Sequence, residues 1–125
     1  MKIEEYQALA MRTNDGKCRE RLTGKCFDHF TGAELYDPGD LLNGALGLTG
    51  EAGEVADMVK KHIFHGHDLN LDELVKELGD VCWYLALLCT TINVSIEEVL
   101  TRNIEKLEER YPEGFSESAS INRTA

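Results

Sequence analysis

What this chain lacks removes several classes of function. It has no basic surplus: 13 Lys and Arg stand against 23 Asp and Glu, a formal charge of −10. A surface that neutralises nucleic-acid phosphates needs the opposite balance, so no nucleic-acid partner is expected. It has no run of about 18 apolar residues and no apolar leader. Neither a membrane span nor a signal peptide is therefore predicted, and a soluble cytoplasmic protein without a membrane partner is expected. Strand-like alternation, internal repeats and low-complexity tracts are absent as well. The glycines are not followed by the Lys-Ser/Thr of a phosphate-binding loop, because Glu51 follows Gly50 and Glu54 follows Gly53. No glutamate is followed three residues later by histidine, which excludes a carboxylate-bridged di-iron bundle.

What is present suffices for one domain over residues 1–125, since the chain is 42% hydrophobic. Ile3, Tyr6, Leu9 and Ala10 predict a short helix over 3–13. Asn14, Asp15, Gly16, Pro38 and Gly39 mark 14–39 as a long loop or insertion. Asp40 is the expected cap of a helix over 41–65, along which Leu41, Ala45, Leu48, Ala52, Val55, Val59 and Ile63 recur every three or four residues. Asn70 with Glu73, and Ser95 with Glu98, have the spacing of capping boxes. They open helices over 71–93, striped by Leu74, Leu78, Val81, Leu85 and Leu88, and over 96–110. Tyr111-Pro112 ends the last helix, and 113–125 reads as a surface tail. The expected fold is all-α, an antiparallel helical bundle of four to five helices. Of the cysteines, Cys82 and Cys89 are seven apart and are expected to face the core. Cys18 and Cys26 fit no zinc spacing and are expected to be free thiols in a loop.

Two short patterns carry chemistry: Glu51-Ala-Gly-Glu54 and Glu77-Leu-Gly-Asp80. In each, two acids three residues apart are neighbours on a helix surface, running outward from the edge of the apolar stripe. If the two helices pack side by side, four carboxylates converge. Such a group needs either protonation or a hard divalent cation with oxygen ligands. Gly44, Gly47, Gly50 and Gly53 fall at every third position of the same helix, each costing about 1 kcal/mol relative to alanine. Gly50 and Gly53 read as room beside the carboxylates, and Gly44 and Gly47 as close helix packing. On the last helix Asn103, Lys106 and Arg110 share a face, and one amide with two cations suits phosphate oxygens.

Together G-E-A-G-E (50–54), K-E-L-G-D-V-x-W (76–83) and N-I-E-K-L-E-E-R-Y-P-E-G-F (103–115) resemble the MazG-like all-α nucleoside triphosphate pyrophosphohydrolases. The resemblance implies hydrolysis of a nucleoside triphosphate to the monophosphate and pyrophosphate with Mg²⁺, for which Mn²⁺ can substitute. It implies Glu51, Glu54, Glu77 and Asp80 as metal ligands and catalytic carboxylates. It implies phosphate contacts from Asn103, Lys106 and Arg110, with Tyr84 near sugar or base and Lys60 and Lys61 as further candidates for the phosphates. It also implies a homodimer or homotetramer in which a partner completes the helical core. Many members carry a further glutamate where Gly50 stands here. That difference suits the alternative reading, a non-catalytic nucleotide- or protein-binding helical protein of the same fold.

Overall fold

The computed structural model describes residues 1–25 and 35–123. Within them the chain is all-α: α1 (Ile3–Met11), α2 (Cys18–Lys25), α3 (Pro38–His65), α4 (Leu71–Thr91), α5 (Ile96–Arg110) and α6 (Glu117–Ile121). Two of these were not expected. The 14–39 segment holds α2, and the tail holds α6, capped by the Ser116 hydroxyl, which accepts from Ala119 N at 3.1 Å. Cys26 lies outside the described residues, while Cys18, Cys82 and Cys89 are free thiols.

Helix α3 begins three residues earlier than its stripe suggests. Asp37, not Asp40, is the cap: its carboxylate accepts from Gly39 N at 2.8 Å and Asp40 N at 3.1 Å, and Pro38 fills the first helical position. Gly66, left-handed at φ 74°, closes the other end. Asn70 and Ser95 cap α4 and α5 as expected, accepting from Glu73 N and Glu98 N at 3.1 Å each. The glutamates do not reach back. Glu73 pairs with Lys76 and Glu98 with Arg102. Asn93, at φ 58°, turns the chain between α4 and α5.

Helices α3 and α4 make the principal contact of the molecule. The face that α3 turns to α4 is not the predicted leucine and valine stripe. Leu41, Ala45, Ala52, Val59 and Ile63 are exposed, and only Leu48 and Val55 are half-buried. The contact runs instead along the small residues. A Cβ at Gly44 would lie 2.7 Å from the Leu88 side chain, and one at Gly47 only 2.1 Å from the Tyr84 ring. Gly39 does the same for α2, since a Cβ there would fall 2.3 Å from the backbone of Cys18 and Arg19. Gly50 and Gly53 have nothing within 4 Å.

Helix α1 lies across α4 and the start of α5. Ala10, Ala86, Cys89 and Ile96 form the buried cluster, flanked by Tyr6, Met11, Trp83, Leu85 and Val99. Gln7 pins the assembly: its Nε2 donates to Thr90 Oγ1 and Val94 O, and its Oε1 accepts from Ile96 N. Cys89 is buried as expected, but Cys82 is exposed, because the cluster stops at Ala86 and does not cover the preceding turn. The core is thin for the apolar residues available. Ile63, Phe64, Leu71, Val75 and Leu78 are exposed at one end of the α3–α4 pair, and Leu100, Ile104 and Leu107 along α5. No single described helix is long and apolar enough to cross a membrane.

The glycines of α3 are therefore predicted to part company on mutation. Gly47→Ala forces the Tyr84 ring aside and should lower unfolding free energy by about 1–3 kcal/mol in urea titrations. Gly50→Ala meets open space and should raise it by up to about 1 kcal/mol.

Candidate functional site

The Gly44–Leu88 and Gly47–Tyr84 contacts set the register of the antiparallel pair. One turn beyond Gly47, α3 presents Glu51. One turn before Tyr84, α4 presents Asp80, with Glu77 a turn earlier. The pairing brings one carboxylate oxygen from each of Glu51, Glu77 and Asp80 within 4.8 Å of one another. Glu51 and Glu77 are half-buried and Asp80 is exposed. Glu54 is exposed and stands beside this trio, not within it, yet its charge is felt at Glu77. Three of the four acids thus converge as the spacing suggested, with the fourth at the rim.

Burial, then the charges of Glu51 and Asp80, a hydrogen bond with Glu51 and the charge of Glu54 push the Glu77 carboxyl above its ordinary range. The donor set is all carboxylate oxygen. That suits a hard divalent cation such as Mg²⁺ or Mn²⁺ and does not suit zinc, which favours nitrogen and sulfur.

Glu51 and Asp80 line a recess of about 310 Å³ with Trp83 and Tyr84. Tyr84 lines this recess, against Gly47 and edge-on to Trp83 at 5.0 Å. Trp83, the last residue of the K-E-L-G-D-V-x-W motif, links α1 to this recess. Its Nε1 donates to Ala10 O at 3.1 Å and Thr13 Oγ1 at 2.7 Å, tying α1 to the helix that carries Asp80. Tyr6 of α1 also stands near, its hydroxyl raised by burial, Cys82 and the Asp80 charge. The signal for Trp83 was its place one turn from Asp80.

The basic candidates are placed differently. Lys60 and Lys61 both pair with Asp57, at 3.2 and 2.7 Å, although Lys61 also feels Glu54. Asn103, Lys106 and Arg110 share a face of α5, but that helix leaves α4 at 98°. Asp80 stands about 16 Å along α4 from the bend and Lys106 about 15 Å along α5 beyond it. More than about 20 Å then separates them within one chain. Neither Lys106 nor Arg110 makes an ion pair among the described residues; Arg110 lies 6.0 Å from the centre of the Tyr111 ring.

Residues 41–115, which carry every acid of this site and all of α4 and α5, match the MazG nucleotide pyrophosphohydrolase domain. The chain belongs to the MazG family. It is also 40% identical over 82 residues to the Gene 37 protein of Mycobacterium phage L5, covering 62% of this chain and 72% of that protein. No solved structure matches. The MazG match begins after α2, so α1 and α2 are additions to the matched region, and α1 is the one that braces Trp83.

The crowding at Glu77 has a measurable sign. A carboxyl whose folded-state value is raised favours the folded chain at low pH, and that contribution is lost as pH rises through the raised value. Glu77→Gln should therefore raise the Tm of the metal-free protein at pH 7, with the gain vanishing as pH falls below 4.5, the ordinary glutamate value. Calorimetry across that range measures it, and an unchanged Tm at pH 7 would contradict it.

Proposed function

We propose that this MazG protein hydrolyses nucleoside triphosphates, NTP or dNTP, to the monophosphate and pyrophosphate in a Mg²⁺-dependent reaction. The observation that carries the reading is the convergence of Glu51, Glu77 and Asp80 within the region matched to the family. Mg²⁺ bound to these carboxylates, or Mn²⁺ in its place, would neutralise triphosphate oxygens and the charge that builds up in the transition state. The chain's own contributions follow from position. Glu51, Glu77 and Asp80 hold the cation. Glu54 stands outside that trio and is free to take the proton of the attacking water through a carboxylate oxygen. Gly50 and Gly53 leave the backbone beside Glu51 and Glu54 open to the phosphates. Tyr84 walls the recess on the side of sugar or base.

Phosphate contacts by Asn103, Lys106 and Arg110 need a second copy of the chain, because their own α5 carries them away from their own acids. At about 100° per residue, Glu97, Glu105 and Glu108 lie on the far side of α5 from these three, with Glu98 and Glu109 toward one flank. The exposed Leu100 and Leu107 border the donors on the other flank, next to Asn103. A homodimer or homotetramer that buries these apolar residues would bring one copy's donors to the other's carboxylates.

Pyrophosphate release from a panel of NTPs and dNTPs, with and without Mg²⁺, tests the reading. Metal-dependent release is expected, and Asp80→Asn should lower it about 100-fold or more with helicity intact. Silence across the panel from folded protein would favour the non-catalytic alternative. Mixing Asp80→Asn chains with Lys106→Ala/Arg110→Ala chains should restore about a quarter of wild-type activity, through the one intact site of each mixed dimer. No restoration would argue that the donors do not act across copies.

A further inference from the structure

A second recess opens on α3 about two turns before the acids. Cys18, Arg21 and Leu22 of α2 face Leu42, Asn43 and Leu46 of α3 around about 340 Å³. That volume lies within the range of small-molecule sites. Its walls are almost entirely apolar, and its charge is already cancelled. Arg21 is engaged by both carboxylate oxygens of Asp15, and this pair holds the Asp15 carboxyl down at about 2. Burial, then the neighbouring Asp40 carboxylate, pushes the Cys18 thiol up, so the sulfur stays protonated. Among the described lining residues a phosphate finds no free cation. The polar group left is the Asn43 carboxamide, whose Nδ2 makes only a long 3.7 Å contact to Cys18 Sγ. A carboxamide offers two N–H donors and one acceptor, so most of this capacity is unused.

The recess is also correctly placed relative to the acids. Asn43, Gly50 and Glu54 fall within about 40° of one another around α3. Asn43 and Glu51 are eight residues apart, about 12 Å along the axis and about 80° round it, a path that a nucleotide can span from base to phosphates. Between them α3 offers bare backbone at Gly50, with nothing within 4 Å of it, while Gly47 is covered by the Tyr84 ring.

We propose that the α2–α3 recess takes the nucleobase of the substrate and that the Asn43 carboxamide reads the edge of that base. The assignment rests on the nucleotide reading above and adds to it the residue that sets base preference. A flat aromatic base suits apolar walls, and a single amide presents complementary donors and an acceptor to its edge. With the base so held, the sugar lies over Gly50, beside the Tyr84 ring that covers Gly47, and the phosphates reach Glu51, Glu77 and Asp80.

Two variants and two readouts test this. Asn43→Leu keeps the volume and removes the amide. It should raise KM for the preferred triphosphate about tenfold and flatten the ranking among bases, with kcat little changed. Leu46→Trp fills the recess and should raise KM for every nucleotide. Wild-type KM and ranking in Asn43→Leu would overturn the assignment. The second readout needs no turnover. Deoxyadenosine, deoxyguanosine, deoxycytidine and thymidine are titrated into ¹⁵N-labelled protein. Resonance shifts are expected at the Asn43 side-chain amide and the Leu42 and Leu46 backbone amides, and are expected to vanish in Leu46→Trp. No shift at these positions with any of the four would overturn the assignment. Shifts there in a chain that releases no pyrophosphate would uphold the recess and overturn the hydrolase reading alone.

Discussion

The approach of two helix backbones at Gly44 and Gly47 governs the rest of the structure. With Leu88 and the Tyr84 ring occupying the space where side chains would stand, α3 and α4 can slide neither past nor away from each other without losing that contact. The register that results puts Glu51 opposite Asp80 and Glu77. A larger residue at either glycine would part the helices and move the carboxylates with them. The low helix propensity of these two glycines is thus offset by packing that no residue with a Cβ could make.

Convergence of acids carries its own cost. Each carboxylate in the trio raises the free energy of the others in the absence of a cation, and this adds to burial in lifting Glu77. The scaffold holds α4 against this repulsion through α1, which packs beside Trp83 at the edge of the acid recess. Trp83, one turn from Asp80, is fixed by hydrogen bonds to Ala10 and Thr13, and Gln7 ties α1 to the turn after α4. A residue matched to a short N-terminal helix thereby supports a site built wholly from α3 and α4.

The same economy leaves apolar residues uncovered. A buried cluster of Ala10, Ala86, Cys89 and Ile96 is small, while Phe64, Val75 and Ile104 face outward. Burying such residues is the dominant favourable term in association. A second copy of the chain would gain from covering them, and under the proposed function would also bring the α5 donors to the acids. The single chain holds one half of that chemistry in the register of α3 and α4. The other half lies on a helix that points away from it.

Much was legible from residue order because it depends on neighbours along the chain. Helical periodicity identified α1, α3, α4 and α5. The caps at Asn70 and Ser95 followed from donors three residues on, and the acid pairs stood on their helices before any packing was known. The motifs also sufficed to point to the MazG family. Errors arose where the outcome depended on which surface meets which. The Leu41–Ile63 stripe of α3 looked like its core face but is largely exposed, because glycines permit a closer contact than leucines do. Cys82 and Cys89 share a face of α4, yet only Cys89 is buried, because Ala10, Ala86 and Ile96 close around Cys89 and the buried cluster does not include Cys82. Helix α2 was invisible as a weakly apolar segment among turn formers, and Asp37 displaced Asp40 as the cap by one turn. By itself the sequence determined the helices, their ends to within a few residues, and the identity of the acids, all of which are short-range properties of the chain. Only the tertiary structure decided that three acids close on one point with Glu54 beside them, and that α5, with its donors, turns away from α4 at 98°. Distance between helices is set by packing, and packing is a property of no single segment.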